Sequence, residues 1–163
     1  MDEYFGIKFE FSRAEVDRLI IDPISRGSRA YICVVDSNVV AMTYYDSAYR
    51  RIVNGSLVNV CDGSVIAFLA GLVYRKRLEA FPGPVIFQSY VENPTYNQLV
   101  IGNSEVTWLK MVNKLRSKGI STDYLRWLDV PFCDVDDFDF IRIADQVNKM
   151  NPDIIWVSLG APK

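Results

Sequence analysis

Apolar positions along this chain switch repeatedly between two rhythms. Short β-branched runs such as AYICVV, Ala30 to Val35, are of the kind a parallel sheet buries on both faces. Between them lie stretches with apolar residues three and four apart. The clearest is SEVTWLKMVNKLRSKG, with Ser104 placed as an N-cap and Gly119 as a stop. FGIKFEF alternates and predicts a short strand. SRAEVDRLI follows as a helix, with Ser12 and Glu15 at capping-box spacing. A helix from about Val39 to Val53 ends at Asn54-Gly55. SLVNVC then predicts a strand, Asp62-Gly63 a turn, and SVIAFLAGLVYRKRL a helix with basic residues in its last turn. VIFQSYVENPTY fits helix and strand equally well. NQLVIG predicts a strand, TDYLRWLDV holds another, FDFIRIADQVNKM is an amphipathic helix, and DIIWVSL is the last strand.

Strands alternating with helices predict an α/β protein: a Rossmann-like open, mostly parallel sheet with helices on both faces. The 163 residues suffice for one domain with a real core, and no linker, repeat or low-complexity tract divides them.

Composition narrows the chemistry. Half the residues are hydrophobic, which is a folded composition. A net charge of -2 gives no footprint for nucleic acid. There is no histidine, so the commonest general base and the commonest zinc ligand are both absent. Cys33, Cys61 and Cys133 are odd in number and far apart, which reads as thiols of a reducing compartment. The amino terminus has no signal-peptide pattern, and the longest apolar run, Val65 to Tyr74, is roughly half a bilayer span. A cytoplasmic protein is expected.

Open parallel sheets bind ligands beyond the carboxyl ends of their strands. Four such ends stand out: Asp36 to Asn38, Asp62-Gly63, Gly102-Asn103, and Gly160 to Lys163. Asp62 is the sharpest. A carboxylate between a strand and a helix amino terminus sits where negative charge is favoured, and it can take a proton from an attacking hydroxyl. Its alternative role, the simpler one from pattern alone, is to cap the following helix. Asn38 can hydrogen-bond a sugar or base, or cap a helix. Gly102-Asn103 can bring backbone amides close to a ligand, although it matches neither the dinucleotide nor the P-loop spacing. The cations Arg75 to Arg77 beside an apolar helix suit an anionic membrane surface, or more simply a solvated helix end. The acidic run DVDDFD, Asp134 to Asp139, lacks the central glycine and closing glutamate of a calcium loop and reads as a helix start. No metal site is expected.

The closing stretch VNKMNPDIIWVSLGAPK resembles the signature of the WecG/TagA/CpsF glycosyltransferases. Strands ending in Asp-Ser-Asn, then Asp-Gly, then Gly-Asn follow that family's order from about Phe5 to Lys163. The final motif is specific and the earlier ones are short. The resemblance implies an inverting transfer that needs no metal or other cofactor. An N-acetylmannosamine-type sugar would pass from a UDP donor to a lipid-linked acceptor, in bacterial surface polysaccharide or teichoic acid synthesis. By the same resemblance Asp62 is the base and Gly63 its glycine neighbour. Asn38 lies near the donor, Gly102 begins the glycine turn, and Gly160, Pro162 and Lys163 form the closing loop. Asp36 stands where the family has threonine, Ala80 where it has arginine, Val85 where it has aspartate, and Asn103 where it has a second glycine. Family members continue with Gln-Glu and a basic segment that meets the membrane, so a shortened member is expected. Peripheral membrane contact would run through that segment, and a homo-oligomer is compatible.

Two other readings stay open. The lost arginine would remove a bidentate contact to a diphosphate, which suits a non-catalytic module that binds a nucleotide or a protein. A receiver-like signalling domain would need its lysine at the end of the last strand, whereas Lys163 lies past a Gly-Pro loop.

Overall fold

The structure is a computed structural model that describes residues 1–161. It is α/β, with open, mostly parallel sheets and flanking helices, as the alternating pattern predicts. The strands are shared between two sheets rather than gathered in one. The chain forms two compact units, Met1–Gln88 and the remainder from Ser89.

The first unit opens with β1 (Asp2–Tyr4) and β2 (Ile7–Glu10), an antiparallel hairpin. FGIKFEF is therefore not one strand. Phe5 and Gly6 turn the chain at φ 54° and 76°, the two positive angles that a two-residue hairpin of this hand demands. Helix α1 (Arg13–Ser25) follows. Ser12 caps it by accepting the Glu15 N–H. The reciprocal half of the capping box does not form, because the Glu15 carboxylate pairs with Arg18 and Glu10 takes the Ser12 N–H instead.

β3 (Ile32–Val35) leads to α2 (Ser37–Tyr45) and α3 (Ser47–Asn54). The single helix expected over Val39 to Val53 is broken at Asp46. That carboxylate accepts the Ala48 and Tyr49 N–H groups and so starts a new helix. Gly55 closes α3, as predicted. β4 (Val58–Cys61) is then inserted between β2 and β3, giving the order β1-β2-β4-β3 with both β4 pairings parallel. The crossovers β2 to β3 and β3 to β4 run in opposite directions. Right-handed connections therefore send α1 to one face and α2 with α3 to the other. Phe9, Val35 and Cys61 pack with Val39, Val53, Ile66 and Ala70 in the core of this unit. Burial of each large side chain contributes about 1.5–3 kcal/mol. Asn59 is buried beside them, and its amide satisfies both ends, donating to the Lys8 carbonyl and accepting from Ser56.

Helix α4 (Ser64–Tyr74) stops before the basic triplet. Arg75 adopts a left-handed C-cap, so no cation lies in the last turn. α5 (Gly83–Val91) resolves the ambiguous stretch as helix.

In the second unit β5 (Gln98–Gly102) is flanked by β6 (Leu125–Leu128) and β7 (Ile154–Ser158), all parallel. α6 (Glu105–Ser117) is capped by Ser104 and ends before Gly119 at φ 76°. α7 (Phe140–Met150) is capped by Asp139, consistent with the acidic run as a helix start. Its Ile143 and Val147 pack on Leu99, Ile101 and Leu128. Among the described residues no helix is long and apolar enough to cross a membrane.

Candidate functional site

The site of the first unit is set by the register of two strands. Val35 and Cys61 are the last paired residues of β3 and β4. The Asp62 N–H extends that ladder by donating to the Val35 carbonyl at 3.0 Å. Asp36 and Asp62 therefore leave adjacent parallel strands at the same rung, at the carboxyl edge where open sheets place their ligands.

The two aspartates are used differently. Asp36 caps α2, its Oδ1 accepting the Val39 N–H at 2.8 Å. Asn38 does not act as the cap. It lies exposed inside α2, its amide donating to the Met42 sulfur at 3.6 Å. Asp62 does not cap its own helix either. The N-cap of α4 is Gly63, which provides no side-chain hydrogen bond. Instead Asp62 Oδ1 accepts the Gly83 N–H at 2.5 Å, at the start of α5. The capping reading of Asp62 thus fails for α4, and its carboxylate is aimed across the loop. Oδ2 has no hydrogen-bond partner among the described residues.

Gly83 was visible in the sequence only as part of the breaker FPGP. A Cβ there would lie 2.9 Å from Val34 Cγ1 and 3.5 Å from Asp62 Oδ1. Glycine lets the α5 amide approach the carboxylate over the end of β3. Two residues earlier, Phe81 ties the same loop to the sheet: its N–H donates to the Cys61 carbonyl at 2.8 Å. The Arg13 guanidinium lies over the Phe81 ring, 4.7 Å from its centroid. It reaches there from the start of α1, just past the end of β2, the other neighbour of β4. Sequence reading missed Arg13 because nothing in its spacing links it to the Asp-Gly turn.

Gly63 sits at φ −103°, and an added Cβ would meet only Ile66 at an ordinary 3.6 Å. Neither backbone nor packing requires glycine there. Of the family's other positions, Ala80 packs against the apolar core and Val85 is exposed on α5.

Gly102, Asn103 and Gly160 belong to the second unit. Gly102 is paired with Ser158, at φ 87°, and a Cβ would fall 2.6 Å from the Ser158 carbonyl and from Leu159. Its glycine is thus demanded by the close approach of β7. Asn103, at φ 64°, donates its side-chain amide to Ser158 Oγ at 2.8 Å while remaining exposed. Gly160 is exposed at φ 81°, with open space around it. Pro162 and Lys163 lie outside the described residues.

Among the described residues no three His, Cys, Asp or Glu side chains gather as a metal-holding group. Burial pushes the Cys33 and Cys61 thiols up, away from the reactive thiolate form.

These features define an α/β protein with an oriented carboxylate at a parallel strand edge. The family model described as "Glycosyl transferase WecG/TagA/CpsF family" matches residues 3–163, and the chain belongs to that family. The family supports a transferase that takes a sugar donor and an acceptor. No curated protein matches the chain.

Proposed function

We propose that the protein is an inverting glycosyltransferase using Asp62 as its base. It moves an N-acetylmannosamine-type sugar from a UDP donor to a lipid-linked acceptor of bacterial surface polysaccharide or teichoic acid synthesis. The observation that carries this reading is the hydrogen bond of Asp62 Oδ1 to Gly83 rather than to its own helix. It orients the carboxylate and leaves Oδ2 for a proton. In the reaction the acceptor hydroxyl attacks the anomeric carbon, and the bond from that carbon to the diphosphate oxygen breaks. The hydroxyl proton passes to Asp62 Oδ2, and UDP leaves with the bonding pair. The open, uncapped start of α4 offers backbone N–H groups to the diphosphate. Asp36 and Asn38, past the end of the neighbouring strand, line the donor side. By the family's motif order alone, Gly102, Asn103, Gly160, Pro162 and Lys163 are proposed as further substrate-binding residues.

Asp62→Asn tests this directly. The amide oxygen still accepts the Gly83 N–H, so the fold is kept while the proton acceptor is lost. Transfer from UDP-N-acetylmannosamine to the lipid-linked acceptor is expected to fall by about 10²–10⁴-fold. Transfer that survives the substitution in a folded protein removes Asp62 from the mechanism.

One observation favours a second reading. Ala80 packs, partly buried, against the apolar core and Val85 carries no charge, so neither position offers the family's ionic contact. A nucleotide-binding module without transfer fits that loss. UDP binding by calorimetry with no transfer to any lipid-linked acceptor would select it.

A further inference from the structure

We propose that the outward face of α4 docks on an anionic lipid bilayer surface. The helix carries no charged side chain from Ser64 to Tyr74. Ile66, Ala67 and Ala70 face the sheet and are buried. Val65, Phe68, Leu69, Leu72 and Val73 follow the i, i+3, i+4, i+7, i+8 pattern on the other side and are 45% to 68% exposed. A helix on a protein surface ordinarily presents polar residues there. A contiguous apolar stripe of this kind marks an interaction face.

Charge selects the occupant. Arg75, Lys76 and Arg77 follow directly at the carboxyl end of the stripe. Lys76 is held by Asp2, which anchors this end to the β-hairpin. Arg75 makes no ion pair among the described residues, and Arg77 meets only Glu79, at 3.8 Å with both side chains strongly exposed. Three cations against Asp2 and Glu79 leave +1 at the end of a wholly apolar face. Tyr74 sits at the junction, its ring packed against Tyr4 and Phe5. Apolar side chains that enter the acyl boundary, an aromatic residue at headgroup level and cations over anionic lipid make up the combination that binds interfacially. The face does not require Asp62 to be a base. Because α4 is about 16 Å long and begins two residues after Asp62, docking holds that strand edge within a helix length of the lipid headgroups.

The test is vesicle co-sedimentation of the full 163-residue chain, with phosphatidylglycerol-containing and pure phosphatidylcholine vesicles. Wild type is expected to partition onto the anionic vesicles and weakly onto the neutral ones. Phe68→Glu with Leu72→Glu lowers that partition at least about tenfold. Arg75→Gln with Arg77→Gln lowers it roughly tenfold on anionic vesicles only. All four residues are exposed, and unchanged thermal melting confirms that the variants are folded. Absence of wild-type binding, or variants that bind as wild type does, overturns the proposal. So does a lipid-free dimer that Phe68→Glu with Leu72→Glu dissociates while vesicles bind nothing.

Discussion

The Asp62 carboxylate and the Gly83 amide meet at 2.5 Å across 21 residues of chain. That contact ties the end of β4 to the start of α5 and orients a carboxylate whose second oxygen has no partner among the described residues. It depends on the absence of a side chain at Gly83.

Gly83→Ala keeps the amide and adds a methyl 2.9 Å from Val34 Cγ1. The loop must give way, with a loss of about 1–3 kcal/mol in denaturant unfolding. Val34 is itself exposed, so trimming it costs little. Val34→Ala removes the clashing atom, and the double variant should recover about 1 kcal/mol or more in a double-mutant cycle. Additive losses would show that the clash is not the cause.

Arg13 is the cation that the structure adds to this edge. Its guanidinium lies over Phe81, whose amide is bonded to the last residue of β4. Arg13→Ala is expected to weaken UDP binding about tenfold in calorimetry and to lower stability by only about 0.5–1 kcal/mol. Unchanged UDP affinity would leave Arg13 with a packing role alone.

The pattern of the chain carried much of this. Asp62 and Asp36 were legible because a strand, an acidic residue and a helix follow one another locally. Gly83 was not, because its partner lies 21 residues away and FPGP looks like any helix breaker. The break at Asp46 was hidden by continuous helical periodicity on both sides, and only its two accepted N–H groups reveal a cap. The alternation of Phe5 with Ile7 and Phe9 continues through the turn and so reads as strand; a left-handed Phe has no signature in polarity. The pattern extends α4 through Arg75 for a related reason, since a helix former can end a helix when the fold turns there.

Stability should fall in mild alkali. Burial raises the Cys33 and Cys61 thiols above their ordinary value of 9.0, so the native state keeps these protons longer than the unfolded chain does. Their contribution is complete below pH 9.0 and is lost as pH rises from there toward the native values. Melting followed from about pH 8 to about pH 10 should drop more steeply for wild type than for Cys33→Ala with Cys61→Ala, whatever their absolute stabilities. Parallel slopes would assign the alkaline loss to other groups, Tyr49 and Tyr124 among them, which burial also raises from 10.0.

Two glycines of the family motifs separate structural need from functional room. Gly102 has none to spare: an added methyl would sit 2.6 Å from the Ser158 carbonyl at φ 87°. Gly102→Ala should therefore cost about 2 kcal/mol or more, through strain and a forced shift of β7. Gly63 has ordinary φ and an ordinary 3.6 Å contact. Gly63→Ala should leave the melting temperature nearly unchanged, because alanine tolerates that backbone. Its methyl would nonetheless occupy the mouth of α4 where the diphosphate is proposed to approach, and UDP affinity should fall about tenfold for the loss of one or two backbone hydrogen bonds. A Gly63→Ala protein that melts and binds UDP as wild type does would move the diphosphate away from α4.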